Sequence, residues 1–270
     1  MRFVSKDLTM RSKFSRVLLS RCLLPCAAFA AMALLSVQSA RAGSNAGAGP
    51  SHQFLRRVNS QDDGDASALA ESMELWHEES YAGLVTRFWQ WNFSIPAGVS
   101  PIVDTSGANC SINQSGPVWF LAAPGGKTLN NACTLPAGKA ILSGLFDGYD
   151  DYPCTDPTFG PAPGQSLEAF LQSDILSFVV EPFVSGAATL DGRPLKIRRV
   201  KTSLFAFTAA ESLATAAFAD SCITGSPQLA VADGYYVFIE PLRPGQHILH
   251  LQSTDNAGDV TDVITTLTAK

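Results

Sequence analysis

Four aspartates lie close together in a segment rich in glycine and proline, and they are Asp147, Asp150, Asp151 and Asp156. Hard cations such as Ca²⁺ prefer several carboxylate and carbonyl oxygens supplied by a flexible loop. The segment therefore indicates a candidate metal site, and calcium is the one cofactor that the sequence suggests. Its spacing does not follow an EF-hand and lacks the closing glutamate. The alternative is a solvated acidic loop pinned by Cys154.

Aromatic side chains provide a second kind of candidate site, because their flat faces can stack on sugar rings. Trp89 falls on the apolar stripe of a predicted helix and Trp119 lies in a buried-looking strand. We expect both to be core residues. Trp91, Tyr235 and Tyr236 are less constrained by the pattern and are the candidate ligand contacts.

Nucleophilic chemistry has little support in the sequence. Ser115 lies in a Gln-Ser-Gly-Pro stretch similar to the serine loop of chymotrypsin-like proteases, where the hydroxyl needs a histidine base. None of the histidines outside the first 42 residues lies in a matching context, so we interpret Ser115 as a turn residue. His247 and His250 form an H-x-x-H pair, but in a strand an offset of three places them on opposite faces.

Paired carboxylates would indicate a polysaccharide hydrolase, which requires two of them roughly 5 to 9.5 Å apart. The possible members are Asp104, Glu181, Asp233 and Glu240. Asp104 and Asp233 lie near glycine turns and Glu181 precedes a proline, so a structural role at a turn or strand edge is favoured for each. The sequence cannot show whether any two of them face each other.

Six cysteines occur in the chain, and four of them lie beyond the first 42 residues: Cys110, Cys133, Cys154 and Cys222. An even number of cysteines is typical of a protein that folds in an oxidising compartment. Three pairings are open, and we favour Cys110 with Cys133 and Cys154 with Cys222. The spacings do not match a zinc site, which needs close C-x-x-C pairs.

The N-terminus predicts export. A basic segment precedes an apolar run from Cys22 to Val37, which ends in an A-x-A cleavage pattern at Ala42. The run is shorter than the roughly 20 residues of a membrane span. We therefore predict a signal peptide over residues 1–42 and a flexible linker over 43–66. A single domain follows over 67–270, in the periplasm or outside the cell.

The charge of the predicted mature chain argues against some partners. Residues 43–270 contain 12 basic and 23 acidic residues, a net charge of −11. Nucleic acids and anionic membranes are bound through clustered lysine and arginine, so we expect neither as a partner after cleavage. One basic cluster lies in a strand-like stretch and is interpreted as a solvated edge; it consists of Lys196, Arg198, Arg199 and Lys201.

The elements that must position these residues follow from periodicity. Apolar residues recur every three to four positions from Leu69 to Trp89, which predicts an amphipathic helix that begins near Ser67 and ends before Pro96. A short crossover helix is predicted over Leu167–Asp174. Short apolar runs punctuated by glycine and proline then predict an antiparallel β domain, with strands at 118–122, 139–146, 175–180, 188–190, 195–200, 228–232, 235–240, 247–252 and 259–268. Asp191-Gly192 predicts a hairpin turn.

The fold class is therefore mainly β, an antiparallel β-sandwich of jelly-roll or Ig-like type with the N-terminal helix packed on it. An ordered series of motifs also resembles a family of uncharacterised exported bacterial proteins. The motifs include Trp-Gln-Trp at 89–91, Ser-Gly-Ala-Asn-Cys at 106–110, Gly-Pro-Val-Trp-Phe-Leu at 116–121 and Leu-Pro-Ala-Gly-Lys-Ala at 135–140. The resemblance implies secretion and a single domain, and it transfers no catalytic residue. The segment 143–148 departs from the family's pattern, which is more apolar there and contains proline.

Two functions follow as hypotheses. The first is a secreted or envelope-associated, non-catalytic binding or structural module, whose partner would be a glycan or an envelope protein. The alternative is the carboxylate-dependent polysaccharide hydrolase. The sequence leaves the oligomeric state open.

Overall fold

A computed structural model describes Asp65, Ala68 and residues 71–122, 124–210, 220 and 222–270. The predicted signal peptide and all of the predicted linker except Asp65 lie outside these residues. Within the described part of the chain, no helix has both the length and the apolar character needed to cross a membrane.

The described residues form twelve strands and two α-helices. The strands are β1 (Leu75–Trp76), β2 (Glu79–Ser80), β3 (Val118–Leu121), β4 (Thr128–Leu135), β5 (Ala140–Tyr152), β6 (Phe183–Leu190), β7 (Arg193–Pro194), β8 (Ile197–Lys201), β9 (Phe205–Thr208), β10 (Pro227–Ile239), β11 (Gly245–Asp255) and β12 (Val260–Ala269). The helices are α1 (Tyr81–Phe93) and α2 (Leu167–Ile175), and a π-helical turn over Leu176–Val180 continues α2. The prediction of a mainly β fold is confirmed.

The larger strands form two five-stranded sheets. Sheet 1 has the order β3-β5-β10-β8, and β9 pairs with the end of β10 next to β8. Sheet 2 has the order β4-β12-β11-β6-β7. The prediction of purely antiparallel sheets is wrong, because β3 runs parallel to β5 and β4 runs parallel to β12. The chain leaves sheet 1 after β3, forms β4 in sheet 2 and returns as β5, and such a crossover allows parallel pairing.

Two predicted strands change their assignment in the structure. The apolar run 175–180 is helical rather than extended, because it continues α2 from its N-cap at Ser166, whose Oγ accepts a hydrogen bond from Ala169 N. Short apolar runs do not distinguish a buried strand from a buried helix. The two strands predicted at 228–232 and 235–240 are one strand, β10, which continues through Gly234.

The predicted N-terminal helix is interrupted. Residues 71–73 are helical, β1 and β2 then form a hairpin, and α1 begins at Tyr81. Ser80 caps α1, since its Oγ accepts a hydrogen bond from Gly83 N at 3.0 Å. The apolar positions before the hairpin do not continue the buried stripe of α1, because the Met73 and Leu75 side chains are 65% and 70% exposed.

Sheet 1 has a buried core on each side. On one side, α1 residues such as Phe88 and Trp89 share a cluster with Leu142 of β5 and Tyr236 of β10. On the other side, sheet 1 residues share a cluster with sheet 2; its members include Trp119, Ile141, Val237, Leu249 and Leu267. Burial of each large side chain contributes about 1.5 to 3 kcal/mol, so both clusters stabilise the fold.

Two disulfides join distant parts of the chain, Cys110 with Cys133 and Cys154 with Cys222. This is the pairing favoured from the sequence. The first disulfide joins the segment before β3 to β4. The second joins the segment just after β5 to the segment before β10.

Candidate functional site

A bulge in β5 determines which face each of its aspartates occupies. Phe146 pairs with Tyr235 of β10 while Gly144 pairs with Tyr236, so Leu145 has no partner in the register. Leu145 belongs to the core shared with sheet 2, and the Phe146 ring contacts Phe183 of the same sheet. Two successive side chains thus point the same way, and the alternation of faces shifts by one residue beyond them.

This shift turns Asp147 towards α1, into a buried chain of polar groups. The Trp89 Nε1 atom donates a hydrogen bond to the Tyr236 hydroxyl at 3.1 Å, and that hydroxyl is hydrogen-bonded to the Asp147 carboxyl group. Burial raises the pKa of Asp147 to about 7, although the hydrogen bond from Tyr236 acts in the opposite direction. Burial also raises the pKa of Tyr236 well above its ordinary value, and the hydroxyl keeps its proton.

Two glycines make room for the carboxyl group. A Cβ atom on Gly144 would lie 2.3 Å from Asp147 Oδ1, and a Cβ atom on Gly234 would lie 2.4 Å from Asp147 Cα. Gly234 also has a φ of +152°, which other residues rarely adopt. The niche therefore depends on the absence of side chains at both positions.

The structure does not bring the four candidate calcium ligands together. Asp147 and Asp151 lie on the α1 face of β5, whereas Asp150 lies on the opposite face because side chains alternate along a strand. Asp156 lies in a turn, where its Oδ1 accepts hydrogen bonds from the backbone and hydroxyl of Thr158. The predicted flexible loop is thus mostly strand, because β5 continues to Tyr152 instead of ending near residue 146.

A different group of ligand-type atoms lies near the end of β5. The carboxylates of Asp151 and Asp220 and the sulfur of Cys222 are within 4.8 Å of one another. The sulfur belongs to a disulfide and is not a thiolate ligand. Asp151 Oδ2 accepts a hydrogen bond from Gln228 Nε2 at 2.8 Å, and Asp220 Oδ2 accepts one from the Tyr149 hydroxyl at 3.3 Å. Each of the two carboxylates therefore accepts a hydrogen bond from a side chain of the fold.

The three candidate aromatic contacts pack inside the fold. Trp91 is buried and donates its indole N–H to Ile112 O at 2.8 Å. Tyr236 is fully buried. Tyr235 stacks on Phe183 with ring centroids 3.8 Å apart. Trp91 nevertheless lines a surface depression beside Gln90, whereas Tyr236 is enclosed and Phe183 covers one face of Tyr235.

The candidate carboxylates of a hydrolase lie on separate elements. Three of them are held by neighbouring groups: Asp104 by the backbone N–H of Ser106 and of Asn109, Asp233 by two hydrogen bonds from Arg199, and Glu240 by Trp76 Nε1 and by His77. The fourth, Glu181, lies at the end of the π-helical turn. Among the described residues, the hydrogen bonds and ion pairs join no two of these four.

The serine and histidine candidates have separate structural contacts. The Gln114 side chain bonds to both the N–H and the C=O of Phe120, so it extends the edge of β3 and leaves Ser115 exposed in the adjoining turn. His247 Nδ1 lies 2.7 Å from Asp191, and His250 Nε2 lies 2.7 Å from Asp262 on the other face of β11. The predicted separation of the two histidines is confirmed.

Two surface depressions flank Gln90 on α1, and the candidate ligand contact Trp91 is among the residues that line one of them. One encloses about 270 Å³, and its polar lining comes from Arg87, Gln90, Ser94, Asn113 and Ser115. The other encloses about 340 Å³ between Gln90, β9 and Pro227. Their walls combine a helix with segments far away in the sequence, so no local pattern marks them.

Comparison of the chain with known protein families, with curated proteins and with solved structures finds no match.

Proposed function

We propose that the chain is an exported, non-catalytic binding module built as a β-sandwich, with α1 packed on the outer face of sheet 1. The core shared by the two sheets supports the sandwich, and the two disulfides support folding in an oxidising compartment. The resemblance of its sequence motifs to exported bacterial proteins points to the same location.

One observation carries the non-catalytic assignment. Three of the four carboxylates that could act as acid and base are bound to other groups of the fold, and no two of the four are joined by a described hydrogen bond. Asp233 is buried against Arg199, with distances of 3.1 and 2.8 Å. A hydrolase needs two carboxylates that can both reach one glycosidic bond.

The depression of about 270 Å³ between Gln90 and the turn that carries Asn113 and Ser115 is the proposed binding surface. Amide and hydroxyl groups line it, and these groups can both donate to and accept from the hydroxyls of a glycan. The turn that carries Asn113 and Ser115 is held in place by Gln114, by Trp91 and by the Cys110 disulfide. A wall fixed in this way loses little entropy when a ligand binds.

A polysaccharide hydrolase is the second candidate, and Asp147 is the residue that favours it. A general acid works best when its pKa lies near the operating pH, and the pKa of Asp147 is about 7. Its carboxyl group is hydrogen-bonded to the buried Tyr236 hydroxyl, however, and none of the four candidate carboxylates of a hydrolase is joined to it by a described hydrogen bond.

Glycan and peptide arrays probed with residues 43–270 test the proposal, together with a reducing-sugar assay on the same glycans. We expect glycan binding without hydrolysis. Gln90→Ala and Ser115→Ala should each weaken binding, whereas Gln252→Ala on sheet 2 is the matched amide control and should not. Hydrolysis that disappears in Asp147→Asn would establish the enzyme instead, and binding only to peptides would reject the glycan assignment.

A further inference from the structure

We propose that the basic edge strand β8 is a docking surface for an acidic N-terminal segment, the strap, and that two copies of the chain exchange their straps across it. The strap is defined as Asp65, Ala68 and residues 71–76. β8 is the last strand of sheet 1, so its outer edge is open to a further segment. In one copy, its own strap occupies this edge.

Charge complementarity holds the strap on the α1 side of β8. Glu71 Oε1 lies 2.9 Å from Lys196 Nζ and 2.5 Å from Arg198 Nη1. Glu74 Oε2 lies 3.1 Å from the same guanidinium group. The Arg198 guanidinium also lies over the Tyr81 ring, at 4.5 Å from its centroid, which fixes its position.

The strap also reaches the edge and the other face of the strand. Lys201 N donates a hydrogen bond to Ser72 Oγ at 3.0 Å, which satisfies a backbone group at the open edge. Asp65 Oδ1 lies 2.9 Å from Arg199, which points to the opposite side of β8 from Arg198. The strap therefore reaches both faces of the strand and forms ion pairs with Arg198 and Arg199.

Little apolar surface secures the strap. Met73 and Leu75 point into solvent, and the buried residues Ala68 and Ser72 are small. Trp76 is the one large strap side chain that packs on the core, against Tyr81 and Phe238. Attachment by ion pairs is sensitive to salt. The strap can also form the same ion pairs with the β8 strand of a second copy, so exchange loses no contacts.

The hinge for such a transfer is the turn between β1 and β2. His77 and Glu78 have φ angles of 51° and 69°, so both lie in the left-handed region. Two-residue hairpin turns of this kind favour Asn-Gly, because other residues are strained there. If the hairpin opens, this strain is relieved and the strap can reach the β8 strand of a second copy, which is the geometry of domain exchange.

Charge-reversal complementation tests the exchange in the full mature chain. Variant A carries Glu71→Lys and Glu74→Lys, and variant B carries Lys196→Glu and Arg198→Glu. Each variant alone should be monomeric by light scattering, because neither has a matched strap and β8. Their mixture should form a heterodimer, in which the strap of B docks on the β8 strand of A. The heterodimer should dissociate near 1 M salt, where screening acts within about 3 Å.

A quadruple variant with all four reversals is the control for docking itself. It restores the pairs of Glu71 and Glu74 with opposite signs and leaves the Asp65–Arg199 pair unchanged, so its strap should be protected from proteolysis as in the wild type. If the quadruple variant is unprotected, the ion pairs do not hold the strap and the docking claim is wrong. If it is protected but the mixture of A and B stays monomeric, the strap docks only within its own chain and exchange is rejected.

The hinge supplies an independent readout. Replacing His77 and Glu78 with Asn-Gly favours the closed turn and leaves the ion pairs between the strap and the cluster of basic residues at β8 intact, although it removes the His77–Glu240 contact. The dimer fraction of this variant should be at least several-fold below that of the wild type at the same high concentration. An unchanged dimer fraction would show that the turn is not the hinge and would overturn the proposed route.

Discussion

The Asp147 carboxyl group should make the stability of the fold depend on pH around neutrality. Its pKa is about 7 in the folded protein, against an ordinary value of 3.8. The folded state therefore binds a proton more tightly than the unfolded state does. Stability from this group is fully present below pH 4, declines as the pH rises towards 7, and is lost above it.

The size of the effect follows from the difference between the two pKa values. Each unit of pKa corresponds to about 1.36 kcal/mol, so the difference between 3.8 and about 7 corresponds to about 4 kcal/mol. Residue Asp147 keeps some accessible surface, so we expect about 2 to 4 kcal/mol once solvent screening is included. Asp147→Asn removes the ionisation and keeps an acceptor for the Tyr236 hydroxyl. The variant should match the wild type at pH 4 and exceed its stability by this amount at pH 8.

Urea unfolding with both disulfides intact, followed by tryptophan fluorescence between pH 4 and pH 8.5, measures this difference. Asp262→Asn is the control of opposite sign. Hydrogen bonds from His250 and Gln252 lower the pKa of Asp262, so its replacement should cost stability at neutral pH instead of adding it. Parallel pH profiles for the wild type and Asp147→Asn would refute the buried-carboxyl argument.

Three further predictions concern what holds the fold together. Trp89→Ala should lower the unfolding free energy by about 3 to 5 kcal/mol in urea, because it empties a buried site beneath α1; no change in stability would show that α1 is not core. Arg199→Ala should cost about 3 to 5 kcal/mol by thermal melting, since it leaves the Asp233 carboxylate buried without its cation, and Arg199→Ala combined with Asp233→Asn should recover part of the loss. Removing the Cys154–Cys222 bridge should cost about 1 kcal/mol more than removing the other bridge in the chain-entropy model, because its loop spans 68 residues instead of 23. Non-reducing peptide maps check the pairing before that comparison.

The parts of the fold that were predictable are those that local chemistry specifies. Strand alternation separated His247 from His250, and the Asp191-Gly192 turn joins β6 to β7 as expected. The parallel pairing of β3 with β5 was not predictable, because it depends on the chain crossing to the other sheet between them. The interruption of the N-terminal helix was missed because apolar spacing continued through the β1–β2 hairpin.

The buried arrangement around Asp147 was not predicted for a related reason. The aspartates of β5 lie in a segment whose composition resembles that of a calcium-binding loop. The single extra residue at Leu145 determines which of these aspartates face α1. No pattern of residue types announces a bulge at that position. The groups linked to Asp147 come from α1 and β10, so only the folded arrangement shows that its carboxyl group joins the Trp89–Tyr236 chain.

The same contacts bear on how the protein can respond to its surroundings. Ion pairs hold the strap on β8, whereas apolar packing and the Trp89–Tyr236–Asp147 chain hold α1 on sheet 1. Salt weakens the first attachment more than the second, because Lys196 and Glu74 are exposed to solvent whereas the Trp89–Tyr236 hydrogen bond is buried. A rise in pH through 7 weakens the second, because it ionises the buried Asp147 carboxyl group. The α1 side of sheet 1 therefore carries two contacts, one that responds to salt and one that responds to pH.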